Sequence, residues 1–197
     1  MKRILLTLMV LLSITVSASA QITAPAIEQK PETDQKYLAG AVPERDGHVY
    51  LTRTLTIPAE LTQQEVMQKL QGWMDRCMKD ERISYHQNLP VASENELMHN
   101  VIMELTFSQS FISHDFANLM YLLHLTYTPG QVVMDIDHIS YKYREADQEN
   151  KYTADELISD HYAINKKGRL VFGYKKFRIK TIDLVDELFT SLQREFQ

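Results

Sequence analysis

The sequence predicts an α+β domain in which an antiparallel β-sheet of about five strands carries a long helix and a C-terminal helix on one face. Three observations predict this class. Several segments alternate apolar and polar residues as strands do. Two other segments repeat apolar residues at helical spacing. The last two strand-like segments are separated only by Pro129-Gly130, a tight junction that favours an antiparallel hairpin.

The predicted strands fill the middle of the chain. They are residues 49–57, 83–87, 100–108, 117–128 and 131–143. In the third of them, Val101, Met103 and Leu105 alternate with more polar positions. One face of the sheet is therefore expected to be buried and the other to be wetter.

Two capping boxes mark predicted helix starts, because Thr62 precedes Glu65 and Thr153 precedes Glu156 by three residues. The first helix is predicted over residues 62–79. Its apolar stripe comprises Val66, Leu70, Trp73 and Cys77. The last helix is predicted from about residue 183. Its stripe comprises Val185, Leu188, Phe189, Leu192 and Phe196. Between the helices, residues 165–168 are predicted as a turn that joins two extended segments, 162–164 and 170–174, and residues 175–180 as a connector.

The N-terminal residues have the layout of a secretory signal: Lys2-Arg3, an apolar run over residues 4–12, and small residues ending at Ala20. Cleavage is predicted between Ala20 and Gln21, which makes residues 1–20 a signal peptide. Residues 21–36 contain two prolines without periodicity and are predicted to be a flexible leader. Residues 37–197 are predicted to form one domain, exported to the periplasm or beyond, with no membrane span in the mature chain.

Charge and cysteine content restrict the function further. The formal net charge is -5, and loss of Lys2 and Arg3 would make the processed chain more acidic still. Such a charge argues against nucleic acid or an anionic membrane as a partner. Cys77 is the only cysteine, so no internal disulfide can form, and its place on the apolar stripe indicates a small core side chain.

Three segments carry a resemblance to a known family. They are Tyr37–Glu44 followed by Asp46-Gly47, the helix start Tyr152–Glu156, and Lys176–Leu184. Together they resemble a family of exported bacterial proteins of unknown function described as having a TBP-like fold. The resemblance extends from Tyr37 to the C-terminus. It implies a TBP-like, helix-grip-like fold and an exported location, and it implies no catalytic or binding residue.

The densest group of potential ligands is Asp135, Asp137 and His138. On a strand the two carboxylates share one face about 7 Å apart, while His138 is expected on the opposite face. A solvated sheet face therefore explains them better than a metal site. Structural roles are likewise favoured for His124 and for the pair His114-Asp115. A metal-assisted hydrolase using Asp135, Asp137 and either His124 or His138 stays as the alternative function.

One basic patch reverses the acidic balance of the chain. Its residues are Lys166, Lys167, Arg169, Lys175, Lys176, Arg178 and Lys180. The patch could dock an anionic glycan, a lipid headgroup or an acidic protein, but a solvated turn and strand face is the favoured explanation.

The leading hypothesis is a non-catalytic exported binding module, because the sequence contains no nucleophile elbow and no glycine-rich phosphate loop, and no cofactor is expected. The partner would be a protein or a small apolar or anionic ligand. A cavity between the first helix and the sheet could hold an apolar molecule, although a close-packed core would use the same residues. They are Met67, Trp73, Met74, Met103, Phe107 and Met120. A structural or assembly role is a third possibility.

Overall fold

The computed structural model describes residues 35–145 and 148–197. The predicted signal peptide and all but the last two residues of the predicted leader lie outside these ranges. The strands of the sheet are β3 Leu51–Thr56, β4 Ile83–Leu89, β5 Glu96–Gln109, β6 His114–Thr128, β7 Gln131–Glu145 and β8 Gln148–Thr153. A separate two-stranded ribbon comprises β1 Glu44–Arg45 and β2 His48–Val49. The helices are α1 Gln63–Cys77, α2 Ala154–Leu157, α3 Asp160–Ala163 and α4 Lys175–Gln193, with 3₁₀ turns at Gln35–Tyr37 and Arg194–Phe196.

The described residues form a six-stranded sheet with the order β3-β7-β6-β5-β4, and β8 also pairs with β7. Every neighbouring pair is antiparallel. The α+β class and the antiparallel sheet are thus confirmed. So is the hairpin at Pro129-Gly130, because β6 ends at Thr128, β7 begins at Gln131, and Gly130 has a φ of 80° that suits glycine.

The two edges of β7 are used differently. One edge pairs with β6 along most of its length, whereas the other is shared by two short strands. The pairing with β3 stops at Ile136 and the pairing with β8 starts at Ser140. Between them lies a bulge at His138, whose φ of 51° is left-handed and where the register with β6 shifts. The gap over residues 137–139 shapes one of the two sites described below.

Helices α1 and α4 cover one face of the sheet. Buried side chains of α1, such as Leu70 and Trp73, and of α4, such as Ile182 and Val185, belong to the same core cluster as Val101 of β5. Along β5 and β6 the intervening residues are only half-buried, which confirms the expected wetter face. Both capping boxes are present, at Thr62 and Thr153. No helix in the described ranges combines the length and the hydropathy that a bilayer span requires.

The segment that precedes the last helix differs from the prediction. Helix α4 begins at Lys175, eight residues before the expected start, so residues 175–180 form its first turns and are not a connector. The early turns escaped recognition because their buried face includes the polar residues Arg178 and Thr181. Residues 160–163 form α3, so the expected strand over 162–164 is wrong except for an isolated bridge between Ile164 and Leu170.

Candidate functional site

A cleft of about 390 Å³ opens where α1, α4 and the sheet meet. Met78 and Ile83 belong to its wall at the end of α1, and Leu184 and Leu188 line it from α4. The cleft therefore lies on the helix-covered face, next to the C-terminal end of α1. This is the place where the sequence predicted either a cavity or a close-packed core.

Three large side chains form the apolar floor of the cleft. Trp73, Met103 and Tyr121 line it, and each is about 2% exposed. The Trp73 indole donates to Ser191 Oγ at 2.9 Å, which fixes the ring between the two helices. The Tyr121 hydroxyl instead meets the thioether sulfur of Met103 at 3.5 Å. A thioether is a weak acceptor, so this buried hydroxyl keeps most of its hydrogen-bonding capacity for another acceptor.

Of the six residues predicted to line a cavity, only Trp73 and Met103 do so. Met120 is on the open face of the sheet, because it alternates with the buried residues Leu119 and Tyr121. Phe107 packs edge-on against Phe177 near the start of α4, with ring centroids 4.6 Å apart. The expectation that all six share one lining is therefore wrong, and the reason is the strand alternation of β6 together with the early start of α4.

Ion pairs form the rim of the cleft and join its two walls. Arg76 of α1 pairs with Glu195 at 2.5 Å, and Arg82 pairs with Glu187 of α4 at 3.1 Å. Arg82 is also held by Asp80 at 2.6 Å. All five side chains line the cleft, so an apolar floor is bordered by paired charges.

Cys77 also lines the cleft and is half-buried. Burial raises the pKa of its thiol to about 11, while the neighbouring Arg76 lowers it only in part. The thiol is therefore protonated at neutral pH and is a poor nucleophile. This placement agrees with a structural role for Cys77 in an apolar wall.

A second site, a groove of about 490 Å³, lies at the gap in the edge of β7. Its floor contains the buried side chains of Val49, Ile139 and Ala154. Because neither β3 nor β8 pairs with residues 137–139, the β1–β2 ribbon and the start of α2 pack beside this gap. The groove is thus a consequence of two short strands sharing one long neighbour.

Two histidine–aspartate pairs line this groove. His138 Nδ1 lies 2.7 Å from Asp137 Oδ1, and His48 Nδ1 lies 2.9 Å from Asp155 Oδ2. Asp155 also accepts the backbone N–H of Val49 at 2.6 Å, which fixes the carboxylate. The hydrogen bond and the charge of Asp155 raise the pKa of His48. In both pairs the carboxylate engages Nδ1 and leaves Nε2 for another partner.

The expectation that His138 lies opposite the two aspartates is wrong, because the bulge exposes its ring beside Asp137. Asp135 and His124 are cross-strand neighbours on the open face, where His124 Nε2 lies 3.3 Å from Glu96. Asp135 Oδ1 is buried without a hydrogen-bond partner in the described residues. Elsewhere, His114 pairs with Glu104 at 2.9 Å. Over residues 35–145 and 148–197, no group of three His, Cys, Asp or Glu side chains is placed to hold a metal ion.

The predicted basic patch divides into two groups. Arg178 is fully buried, where it donates to three backbone carbonyls and pairs with Asp160 at 2.7 Å. Lys176 pairs with Asp115 at 2.9 Å and lies over the Tyr143 ring. These two are structural and not part of an open cationic surface. The others are exposed and form no ion pair with a described residue; they are Lys166, Lys167, Arg169, Lys175 and Lys180.

Several residues of the two sites were not singled out from the sequence. Tyr121 is part of the apolar alternation of its strand, and Ser191 carries no motif, so neither gave a signal. His48 did carry a sequence signal, because it directly follows the turn pair Asp46-Gly47 that forms the β1–β2 ribbon. The contact of His48 with Asp155 joins residues 107 positions apart and could not be read from local sequence.

Comparison with known proteins agrees with this architecture. A family model described as a domain of unknown function (DUF4468) with TBP-like fold matches residues 52–142. The crystal structure of a DUF4468 family protein from Bacteroides ovatus is 30% identical, with a TM-score of 0.76 over 84% of this chain and 95% of that one. A TBP-like protein from Parabacteroides distasonis is 18% identical, with a TM-score of 0.64 over 80% of this chain and 97% of that one. No curated protein matches this chain. The predicted family resemblance and TBP-like fold are confirmed.

Proposed function

The chain belongs to the DUF4468 family of TBP-like domains, a family without an assigned function, and we propose that it is an exported, non-catalytic binding module. Its ligand would be a small and mostly apolar molecule. The binding site would be the cleft between α1, α4 and the sheet. The single observation that carries this proposal is an open cleft with a buried aromatic floor at a place where a domain core is normally filled.

The dimensions and the lining of the cleft support a small ligand. A volume of about 390 Å³ lies within the range of about 300–1,000 Å³ typical of small-molecule sites. Such sites combine mainly apolar and aromatic walls with a few polar groups that orient the ligand. Trp73 and Met103 supply the apolar surface, and the Tyr121 hydroxyl supplies a donor whose present partner is only a sulfur atom.

The ion pairs at the rim suit such a ligand as well. Because Arg76 is paired with Glu195 and Arg82 with Asp80 and Glu187, the rim carries little uncompensated charge. A strongly charged ligand would have to break these pairs, whereas an apolar ligand with one acceptor atom would not. We therefore expect a neutral apolar molecule with a single hydrogen-bond acceptor directed at Tyr121.

A dye-binding experiment tests this assignment. The chain contains one tryptophan, Trp73, so its fluorescence reports on the cleft alone. We expect the neutral apolar dye N-phenyl-1-naphthylamine to quench Trp73 by energy transfer and to bind in a saturable way. The substitution Leu188→Phe narrows the cleft and should weaken dye binding by about tenfold, since filling a site removes contact area.

The matched control is Leu122→Phe, which adds the same atoms to a half-buried leucine on the open face of the sheet. It should leave dye affinity unchanged. The cleft would be ruled out as the site if both variants bound the dye with equal affinity. It would also be ruled out if the wild-type protein bound no dye and native mass spectra of the isolated protein showed no retained small molecule.

Export is the second part of the proposal and rests on the signal-like residues 1–20. N-terminal sequencing of the protein recovered from periplasmic and extracellular fractions should give a chain that begins at Gln21. Recovery of the protein in the cytoplasm with its initial methionine would contradict export without affecting the cleft.

One observation favours a second candidate, the metal-assisted hydrolase. The bulge in β7 places His138 beside Asp137 at a groove that also contains His48 and Asp155. If this groove binds a catalytic metal, millimolar Mg²⁺, Ca²⁺, Mn²⁺ or Zn²⁺ should raise the melting temperature of the protein. The double substitution His138→Ala and His48→Ala should abolish that shift. We expect no shift for the wild-type protein, as the non-catalytic proposal requires.

A further inference from the structure

We propose that one end of the molecule docks on an anionic lipid bilayer through two apolar tips, one of which is flanked by basic side chains. The tips are the β5–β6 turn, with Phe111 and Ile112, and the loop before α4, with Phe172. This surface is separate from the cleft and from the groove, since none of these three residues lines either.

The three apolar side chains are exposed to an unusual degree. Phe111, Ile112 and Phe172 are 105%, 91% and 86% exposed, respectively. Phe111 and Ile112 are adjacent at the end of a hairpin, where the Ser110 N–H donates to the Ser113 carbonyl at 2.8 Å. Single exposed apolar residues are common, but two large neighbouring ones at the tip of a projecting turn contribute nothing to the core. Their burial in a partner would be favourable.

One contact network brings the two tips to the same end of the molecule. Lys176, in the first turn of α4, binds Asp115 at 2.9 Å and lies 4.6 Å above the Phe107 ring. Asp115 and Phe107 flank the β5–β6 turn on its two strands, each four residues from Phe111 in sequence. Phe172 lies four residues before Lys176, and its ring is 5.3 Å from Lys175 Nζ. The start of α4 is thus attached to the base of the hairpin.

Basic side chains accompany the loop tip. Lys166, Lys167 and Arg169 occupy an exposed turn closed by the Gly168 N–H donating to the Asn165 carbonyl. Val171, just after this turn, accepts the backbone N–H of Lys175. In the described ranges none of these cations, nor Lys175, forms an ion pair. Four exposed cations therefore flank Phe172 along the chain, and Lys175 lies beside its ring, in a protein whose net charge is negative.

This combination fits a bilayer better than a soluble anion. Each Lys or Arg near an anionic surface strengthens binding by about fivefold, and aromatic or aliphatic side chains beside them enter the boundary between headgroups and acyl chains. A soluble anionic glycan or phosphate would use the cations and leave Phe111, Ile112 and Phe172 in water. Tyr162, which is 45% exposed beside Tyr174, adds an aromatic ring with a polar tip of the kind found at membrane interfaces.

The test is co-sedimentation of the processed chain with phosphatidylglycerol-containing vesicles and with pure phosphatidylcholine vesicles. All variants carry the same N-terminus, so its contribution cancels. The wild-type chain should bind the anionic vesicles and lose binding at high salt. Phe111→Ser with Ile112→Ser should reduce partitioning by at least about tenfold. The triple variant Lys166→Gln, Lys167→Gln, Arg169→Gln should reduce it on the order of a hundredfold.

Matched controls remove the same chemistry elsewhere. Tyr85→Ser deletes a half-exposed ring on β4. The double variant Lys79→Gln with Arg194→Gln deletes two exposed cations just past the C-terminal ends of α1 and α4. Neither should change binding, and far-ultraviolet circular dichroism checks that each variant is folded. The proposal is overturned if the wild-type chain does not co-sediment with anionic vesicles, or if the tip variants bind them as well as the wild type does. It is overturned equally if sedimentation shows that the tips join two copies of the chain, or if only an acidic protein competes for them.

Discussion

The Arg178 guanidinium is an internal cross-link between segments distant in sequence. It is fully buried and donates to the carbonyls of Tyr37 and Leu38 at 2.7 and 2.6 Å and to that of Ile158 at 2.6 Å. Its charge is balanced by Asp160 at 2.7 Å. A planar group with five donors can satisfy all four acceptors at once, which no other side chain can do.

We therefore predict that Arg178→Gln lowers the free energy of unfolding by about 3 kcal/mol, because it leaves buried carbonyls without donors. Urea denaturation measures the change. Arg178→Lys should recover less than half of the loss, since an ammonium group cannot reach acceptors on opposite sides. The nearby exposed Lys180→Gln is the control and should change stability by less than about 0.5 kcal/mol. A similar loss for both would show that the burial of Arg178 contributes nothing special.

His99 gives the protein a pH-dependent stability. It is 6% exposed, its Nδ1 has no hydrogen-bond partner among the described residues, and its ring stacks on His86 at 6.0 Å. Burial, with a smaller contribution from His86, lowers the pKa of His99 below its usual 6.5, although Asp75 opposes the shift. The unfolded chain therefore binds a proton at a higher pH than the folded chain, and stability is lost as the pH falls below about 6.5.

The measurement is the free energy of unfolding from urea melts between pH 7.5 and about pH 5. The wild-type protein should lose stability over this interval, and His99→Phe should show a shallower slope because the buried titrating group is gone. His48 acts in the opposite sense, since Asp155 raises its pKa, and its contribution is lost as the pH rises. His86→Phe is the matched control at the exposed partner ring. Identical slopes for the wild type and His99→Phe would contradict the assignment.

The bulge in β7 is the element in which local backbone geometry and site geometry coincide. His138 has a left-handed φ of 51°, a region that costs an ordinary residue about 1–2 kcal/mol and glycine almost nothing. Its contact with Asp137 is exposed and contributes little to stability. The backbone strain at His138 is therefore not explained by stability, and it is located at a residue that lines the groove.

We predict that His138→Gly stabilises the protein by up to about 1 kcal/mol, whereas His138→Val destabilises it by at least that amount, because a β-branched residue tolerates this region poorly. Thermal and urea denaturation of the two variants measure the difference. If both variants destabilise the protein equally, the imidazole itself holds the bulge and the strain argument fails.

At the level of elements, the sequence predicted what depends on local patterns. The two capping boxes, the glycine-containing hairpin turn and the alternation of β5 and β6 each act over a few residues, and each was found. The strand β8 escaped because QENKYT has almost no apolar alternation and pairs only with the polar end of β7. The cleft was foreseen only as one of two outcomes, since whether Trp73 and Met103 border a void depends on how α4 approaches α1. That approach is set by long-range contacts.

The first described residues bind the last helix, α4, and so connect the two ends of the described chain. Lys36 and Tyr37 both contact Asp183, at 2.8 and 2.6 Å, and the carbonyls of Tyr37 and Leu38 satisfy Arg178. These contacts join positions about 140 residues apart in the chain. The contacts of the folded domain thus extend to Lys36, one of the last two residues of the predicted leader.

A thermodynamic cycle tests this closure at the scale of the whole chain. A chain that begins at Gly40 should be less stable than one that begins at Gln35 by about 2–4 kcal/mol, because Arg178 loses two of its acceptors and Asp183 loses both partners. If the segment acts through Arg178, then Arg178→Gln should cost much less in the shorter chain than in the longer one, with a coupling free energy of about 1–3 kcal/mol. Additive effects in the cycle would mean that the N-terminal segment stabilises the domain independently of the buried guanidinium, and the closure would then rest on Asp183 alone.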